Sequence, residues 1–349
     1  MRRVEGIDGG SASGGKGLLC PRADTDTSKP VHAVATDVNV AAVGRRTPPL
    51  AALALSVVAL STSAILVRYS AAPSVIKAFY RTVITIGVVA PWALTRYRGD
   101  FGRLRARDAL LAGVTGVTLA VHFAAWFESL EWTSVAASVT LVQSQPLFVA
   151  VGAWALLDER VTRRRAAGIL VAVAGMLAMS VVDLQSGVAP GGRPLYGNSL
   201  AVLAAVAAAA YVLAGRSIRQ RVSLVPYVTV VYVVCAVTLL ALVVRQGHPL
   251  TGYPPREWAL FAAMALGPGL AGHTVINWVL AHVDSSVVSV SLLGEPLGST
   301  LLALVLLGEV PTLATVVGGS VVLLGIAVTS TSDPGAGAES TTDPVPAGT

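Results

Sequence analysis

A carboxylate, a guanidinium and a few amides and imidazoles interrupt stretches of this chain that are otherwise apolar. Glu295 lies ten residues into the run 285–307, which on a helix puts it about 15 Å deep, near the midplane of a bilayer. A carboxylate at that depth costs several kcal/mol unless it is protonated, paired or facing a water-filled cavity. It therefore reads as an acid that contacts solute or carries a proton, or as a structural acid pairing across the molecule. Pro296 beside it has no N–H to donate and frees a carbonyl one turn back. Arg81 follows Pro73 by eight residues, about 12 Å along a helix. Lys77 is one turn above Arg81 on the same side and is long enough to snorkel outward. Gln143, Ser144 and Gln145 crowd one turn of the run 133–157, where amides either bind solute or pair helices.

Two further pairs share a helical face through i, i+4 spacing: His122 with Trp126, and His273 with Asn277. A lone histidine on an apolar helix serves packing as readily as function. The candidate binding set is thus Arg81, Lys77, His122, Trp126, Gln143, Gln145, His273, Asn277 and Glu295, with no metal set and no soluble cofactor. The chemistry these groups offer is recognition of polar solutes inside a membrane. An enzyme finds little support, since the chain has no adjacent Glu pair, no His-Glu-x-x-His and no Gly-rich phosphate loop ending in Lys-Ser/Thr. His273-x-x-x-Asn277 alone is one fragment of an intramembrane protease pattern. A channel-like pore would use rings of like charge or carbonyls, and the charges here are asymmetric.

The elements that must position these groups are membrane helices. The chain has 349 residues, 54% hydrophobic and 13% charged, against roughly 25% charged in an ordinary soluble domain. The formal charge of +6 comes largely from Arg between apolar runs, which argues for loop orientation rather than nucleic-acid binding. Cys20 and Cys235 fall in a polar tail and an apolar run, so they are not expected to pair. Apolar runs occur at 50–67, 73–95, 109–127, 133–157, 166–183, 196–214, 226–244, 258–280, 285–307 and 311–330. Each spans about 17–25 residues, enough to cross the hydrocarbon as a helix. Strands are excluded, because the runs lack the alternation of a barrel and lipid leaves no backbone group unpaired.

The chain also repeats itself. Pro146, Leu156-Leu157, Glu159, Gly168 and Gly175 recur without a gap as Pro296, Leu306-Leu307, Glu309, Gly318 and Gly325. A repeat of this length implies two related halves. Ten runs divide five and five, and since five is odd the second half must cross the membrane inverted. Pro73 and Pro226 open the second run of each half. Counting from these prolines, Lys77 and Arg81 correspond to Val230 and Val234, while Glu295 corresponds to Gln145. That asymmetry suits a dipolar cavity for a zwitterion or organic anion; the alternative is an Arg81–Glu295 salt bridge locking one state. Gly168/Gly175 and Gly318/Gly325 are expected to bring helices close, and Glu159 and Glu309 to anchor helix N-termini. Alternating loops carry 14 Arg against 4, which places both termini in the cytoplasm.

Two copies of Pro-x12-Glu-x8-Gly-x6-Gly, Leu306-Leu307-Gly308-Glu309 and the element Pro73 to Arg81 resemble the EamA-type members of the drug/metabolite transporter superfamily. The resemblance spans about residues 50–330, with Leu157-Asp158-Glu159 as a mild departure in the first copy. It implies an all-α polytopic membrane protein of ten transmembrane helices, as two inverted five-helix repeats at 48–190 and 191–330. Polar tails at 1–47 and 331–349 are expected to be disordered. The implied function is secondary transport of an amino acid, metabolite or drug, with a central cavity between the halves and Pro146 and Pro296 as pivots or walls. Expected partners are a small-molecule substrate and the lipid bilayer, with protons as a coupling ion and a homodimer as an assembly. Arg-rich, Lys-poor usage fits a GC-rich bacterium and hence its inner membrane.

Overall fold

The computed structural model describes residues 49–102, 105–157, 161–186, 190–219, 222, 224–272, 275–276, 279 and 285–331. Among these residues all regular structure is helical. The helices are α1 (Pro49–Tyr69), α2 (Ser74–Arg96), α3 (Ala106–Trp132), α4 (Val135–Val142), α5 (Gln145–Leu157) and α6 (Arg163–Ser186). Then come α7 (Pro194–Arg219), α8 (Leu224–Gln246), α9 (Pro255–Met264), α10 (Ser285–Leu292), α11 (Gly294–Leu307) and α12 (Leu313–Ser330). A π-helix, Ala265–Gly272, continues α9. Eight helices, with α4 and α5 taken as one, are long and apolar enough to cross a membrane. Of the other two expected runs, 258–280 extends into residues that are not described, and 285–307 contributes α11, an apolar helix too short for that count. The tails apart from Thr331, together with Glu159, His273 and Asn277, lie outside the described residues.

The burial pattern suits lipid. Leu55, Leu170, Leu177, Val237, Val305 and Leu324 stay exposed around the bundle, a belt that in water would be a continuous apolar patch. The interior instead holds many small hydroxyls, including Ser61, Thr82, Thr85, Thr115, Ser129, Ser138 and Thr140. Most donate to a carbonyl three or four residues back, as Thr82 does to Ala78 and Thr85 to Arg81. Such hydroxyls satisfy themselves locally and leave room for close helix contact.

A close contact joins α6 to α12. A Cβ added at Gly168 would come 2.8 Å from the Gly325 carbonyl oxygen, and one at Gly175 would come 2.9 Å from that of Gly318. Backbone therefore touches backbone, which only glycine permits. The pairing also fixes direction: 168 meets 325 and 175 meets 318, so α6 and α12 are antiparallel. Shifting each residue to its repeat partner turns the pair 168–325 into 318–175, the same set. A contact set that maps onto itself is the signature of a two-fold axis.

The two broken helices have one cause. Each proline lacks the N–H that would bond the carbonyl four residues back. Those carbonyls belong to Val142 and Leu292, the last residues of α4 and α10. The helix stops there and restarts at Gln145 and Gly294. Ser134 caps α4 by accepting from the Ala137 N–H at 3.1 Å, and Thr312 caps α12 through the Thr315 N–H at 3.1 Å.

Candidate functional site

The breaks bring the most polar residues of the repeat together. Gln143 lies in the gap between α4 and α5, and Glu295 in the first turn of α11. Gln143 Nε2 donates to Glu295 Oε2 at 2.6 Å. This bond links residues 152 apart in sequence and joins the two broken helices at their interruptions. Gly298 lets α11 approach α1, where a Cβ would meet the Ser61 side chain. Ser61 Oγ donates to the Glu295 carbonyl at 3.3 Å, and Ser299 Oγ to the Ser61 carbonyl at 3.0 Å. Glu295 is thus held by its own backbone against α1 while its carboxylate faces α4.

Arg81, on α2, is buried among aromatic rings. Its guanidinium carbon lies 4.4 Å from the ring centre of Phe123 and 5.7 Å from that of Phe127, both on α3. Nη1 has no hydrogen-bond partner. Glu295, Tyr232 and Cys235 lie within its electrostatic range, but the ion pairs among the described residues are Arg68–Glu309 and Lys77–Glu131, so no direct Arg81–Glu295 bridge forms. The neighbouring wall is the π-helix, where a Cβ at Gly269 would stand 3.7 Å from Arg81 Nε.

Other expected residues divide between contact and structure. His122 Nδ1 donates to the Ala204 carbonyl of α7 at 2.9 Å, and its ring stacks on Trp126 with centres 6.0 Å apart. The shared face read from i, i+4 spacing is therefore real, with the histidine serving as a link from α3 to α7. Lys77 is 1% exposed and its Nζ lies 2.7 Å from Oε1 of Glu131, a half-exposed residue next to the end of α3. Gln145 lines a cavity of about 620 Å³ with Gln143, Pro146, Leu293, Arg165 and Thr329. That cavity runs from the helix breaks to the end of the bundle marked by Arg165 and Ser330. A second cavity, about 790 Å³, opens at the opposite end among Glu128, Glu131, Trp132, Tyr196 and His248.

The motif Leu306-Leu307-Gly308-Glu309 has a structural explanation. Gly308 takes the left-handed conformation at φ 65° and ends α11, a position that suits glycine. The chain then turns so that Glu309 Oε1 accepts from the Val135 N–H at 2.6 Å, while Oε2 meets Arg68 at 3.3 Å. Arg68 also donates to the Leu130 carbonyl at 2.6 Å. Glu309 does sit at a helix N-terminus, but that of α4 rather than of the helix following it. Burial holds its carboxyl above the ordinary range, against the opposing pulls of the Val135 N–H and Arg68.

Sequence reasoning missed Phe123 and Phe127, whose only signal is that they share a helical face four residues apart. It also missed the π-helix, which Gly267-Pro268-Gly269 inside an apolar run could have suggested. Glu131 was hidden because its partner, Lys77, lies 54 residues away.

A model of the EamA-like transporter family matches residues 47–181 and 195–331, the stretches that carry Pro146 and Pro296. An uncharacterized transporter of Archaeoglobus fulgidus is 28% identical over 189 residues, covering 53% of this chain and 64% of its own length. A second uncharacterized transporter of that organism is 23% identical over 261 residues, covering 72% of this chain and 86% of its own. A probable terminal-alkyne amino-acid exporter of Streptantibioticus cattleyicolor is 27% identical over 246 residues, covering 68% and 79%. A solved crystal structure resembles the fold with a TM-score of 0.53 at 23% identity, over 79% of this chain and 94% of that one.

Proposed function

The chain belongs to the EamA-like transporter family, and from that premise we propose that it is a secondary transporter, not an enzyme, that moves a small organic solute by alternating access. In this reading the broken runs also cross, giving ten crossings in two inverted five-helix halves at 48–190 and 191–330. The membrane is a bacterial cytoplasmic membrane, and both termini lie on the Arg-rich, cytoplasmic side. The bond from Gln143 to Glu295 carries the proposal, because it places a polar junction where two interrupted helices meet. Interrupted helices near the midplane are where transporters bind solute, since freed backbone groups there can bond a ligand. The antiparallel contact of α6 with α12 supports a rocking of one half on the other. The cavity bearing Gln145 and Arg165 then corresponds to a state open toward the cytoplasm.

Amino acids are the first solutes to test, because the Streptantibioticus relative is named an amino-acid exporter. Proton coupling enters through Glu295, which would exchange its Gln143 bond for a proton or a solute contact during the cycle. Glu295→Gln in proteoliposomes is expected to retain some exchange while losing the dependence of transport on pH. Transport by the variant that follows pH as the wild type does would assign the coupling elsewhere.

A further inference from the structure

Arg81 is a cation buried in the bundle without an acid of its own. Lys77 has Glu131 at 2.7 Å and Arg68 has Glu309 at 3.3 Å. Arg81 has aromatic faces instead: Phe123 at 4.4 Å and Phe127 at 5.7 Å from its guanidinium carbon. It is 5% exposed and its Nη1 meets no acceptor. Glu295, the carboxylate within its electrostatic range, is engaged by Gln143 at 2.6 Å.

A buried charge is normally paired and hydrogen-bonded, because desolvation is otherwise uncompensated. Stacking on rings recovers part of that cost and does something further. It holds the guanidinium carbon over the Phe123 ring while Nη1 is left without an acceptor. A planar fork with a free edge is matched to a carboxylate, which can accept two parallel bonds. The facing wall also allows close approach. Gly269 presents no side chain; an added Cβ would meet the Met264 carbonyl of the preceding turn at 3.0 Å and, across the gap to α2, Arg81 Nε at 3.7 Å and Thr85 Oγ1 at 3.8 Å. Single-turn departures to π geometry are common at functional sites.

We propose that Arg81 is the carboxylate-binding group of the solute site, so that the transported solute carries a carboxylate. This deepens, and rests on, the reading of the chain as a solute transporter. Phe123 and Phe127 are positioning residues: they hold the guanidinium plane and keep water from its faces. The carboxylate supplies the acceptor that Nη1 lacks, and bound solute turns an uncompensated buried cation into a neutral pair. Tight binding and burial of Arg81 are then two aspects of one arrangement.

The test is thermal stabilisation of the purified full-length protein by matched probes: a series of amino acids and simple monocarboxylic acids, each beside its methyl ester or amide, with purines and organic amines as carboxylate-free classes. The wild type should be stabilised by at least one acid and not by its ester. Arg81→Gln should weaken that binding by roughly 10- to 100-fold, the loss expected for a hydrogen bond to a charged group. Arg81→Lys keeps charge without the fork and should lie between them. Equal stabilisation by acid and ester in the wild type overturns the assignment without any variant. So does an Arg81→Gln protein that folds and binds the acid unchanged. If purines or amines bind and are transported while no acid is, the carboxylate assignment fails and the transporter reading stands. If no class is bound by the wild type or carried in proteoliposomes, the transporter reading itself fails.

Discussion

At the scale of residues, the molecule separates charges that lock the structure from charges left available. Lys77–Glu131 and the Arg68–Glu309–Val135 cluster consume their donors and acceptors within the protein. In the proposed transporter, Arg81 and the Gln143–Glu295 pair are the groups that solute would compete for. Glu309 gives a pH test of this division. Its carboxyl is held above the ordinary range by burial, so the folded protein binds that proton more tightly than the unfolded chain. Its contribution is therefore most favourable below the unfolded value of about 4 and declines as pH rises through the higher folded value. Glu309→Gln cannot titrate. The melting temperature of the variant minus that of the wild type should rise as pH is raised through this window. A flat or falling difference would mean that the links to Arg68 and Val135 outweigh burial.

Elements set which residues can meet, and this part of the molecule was the more legible in sequence. Apolar runs located most of the described helices to within about five residues, but 133–157 and 285–307 read as continuous, and each is broken ahead of its proline, at Gln143-Ser144 and at Leu293. The pairing of Gln143 with Glu295 was not legible, because it joins residues at different repeat positions: the counterpart of Glu295 is Gln145, not Gln143. The expected alternative, Arg81 with Glu295, failed to form for a related reason. Composition says which charges share a depth, but side-chain direction depends on how α2, α3 and α11 pack. The glycine contacts were legible as spacing and acquire magnitude here. A Cβ at Gly325 would stand 2.5 Å from the Ala172 nitrogen and 2.6 Å from the Gly168 oxygen, so Gly325→Ala forces α6 and α12 apart. It should cost about 1–3 kcal/mol, read as a lower melting temperature, whereas Gly87→Ala, with nothing within 4 Å, should be neutral or slightly stabilising. Equal effects at the two positions would contradict the close packing. The prolines allow a second test at this scale. Pro146→Ala with Pro296→Ala restores two N–H donors to α5 and α11 and should slow transport while leaving the fold intact. Unchanged transport would show that the breaks are not pivots.

In the whole molecule two repeats pack about a two-fold relation, with one polar junction that the symmetry does not reproduce. The equivalent helices α6 and α12 meet through glycines that map onto each other. Arg81 has Val234 as its counterpart and Glu295 has Gln145, so the repeats supply a symmetric frame for an asymmetric site. A frame of this kind accommodates one cavity that reaches the helix breaks from the end near Arg165 and a second that opens at the other end beside Glu128 and Glu131. It also explains why the family was legible and the substrate was not. The family is written in the repeated prolines and glycines, which build the frame. The substrate is written in a few side chains whose partners come from distant segments.

A solute site at the junction of the broken helices, as proposed, makes counterflow into proteoliposomes the decisive measurement. Vesicles preloaded with unlabelled amino acids, monocarboxylates, purines or organic amines would be presented with the labelled form of each, using the wild type and Gln143→Ala. Saturable, trans-stimulated uptake of at least one class is expected, reduced in a Gln143→Ala protein that still folds. Uptake of every class no greater than in protein-free vesicles, or non-saturating flux indifferent to Gln143, would contradict it.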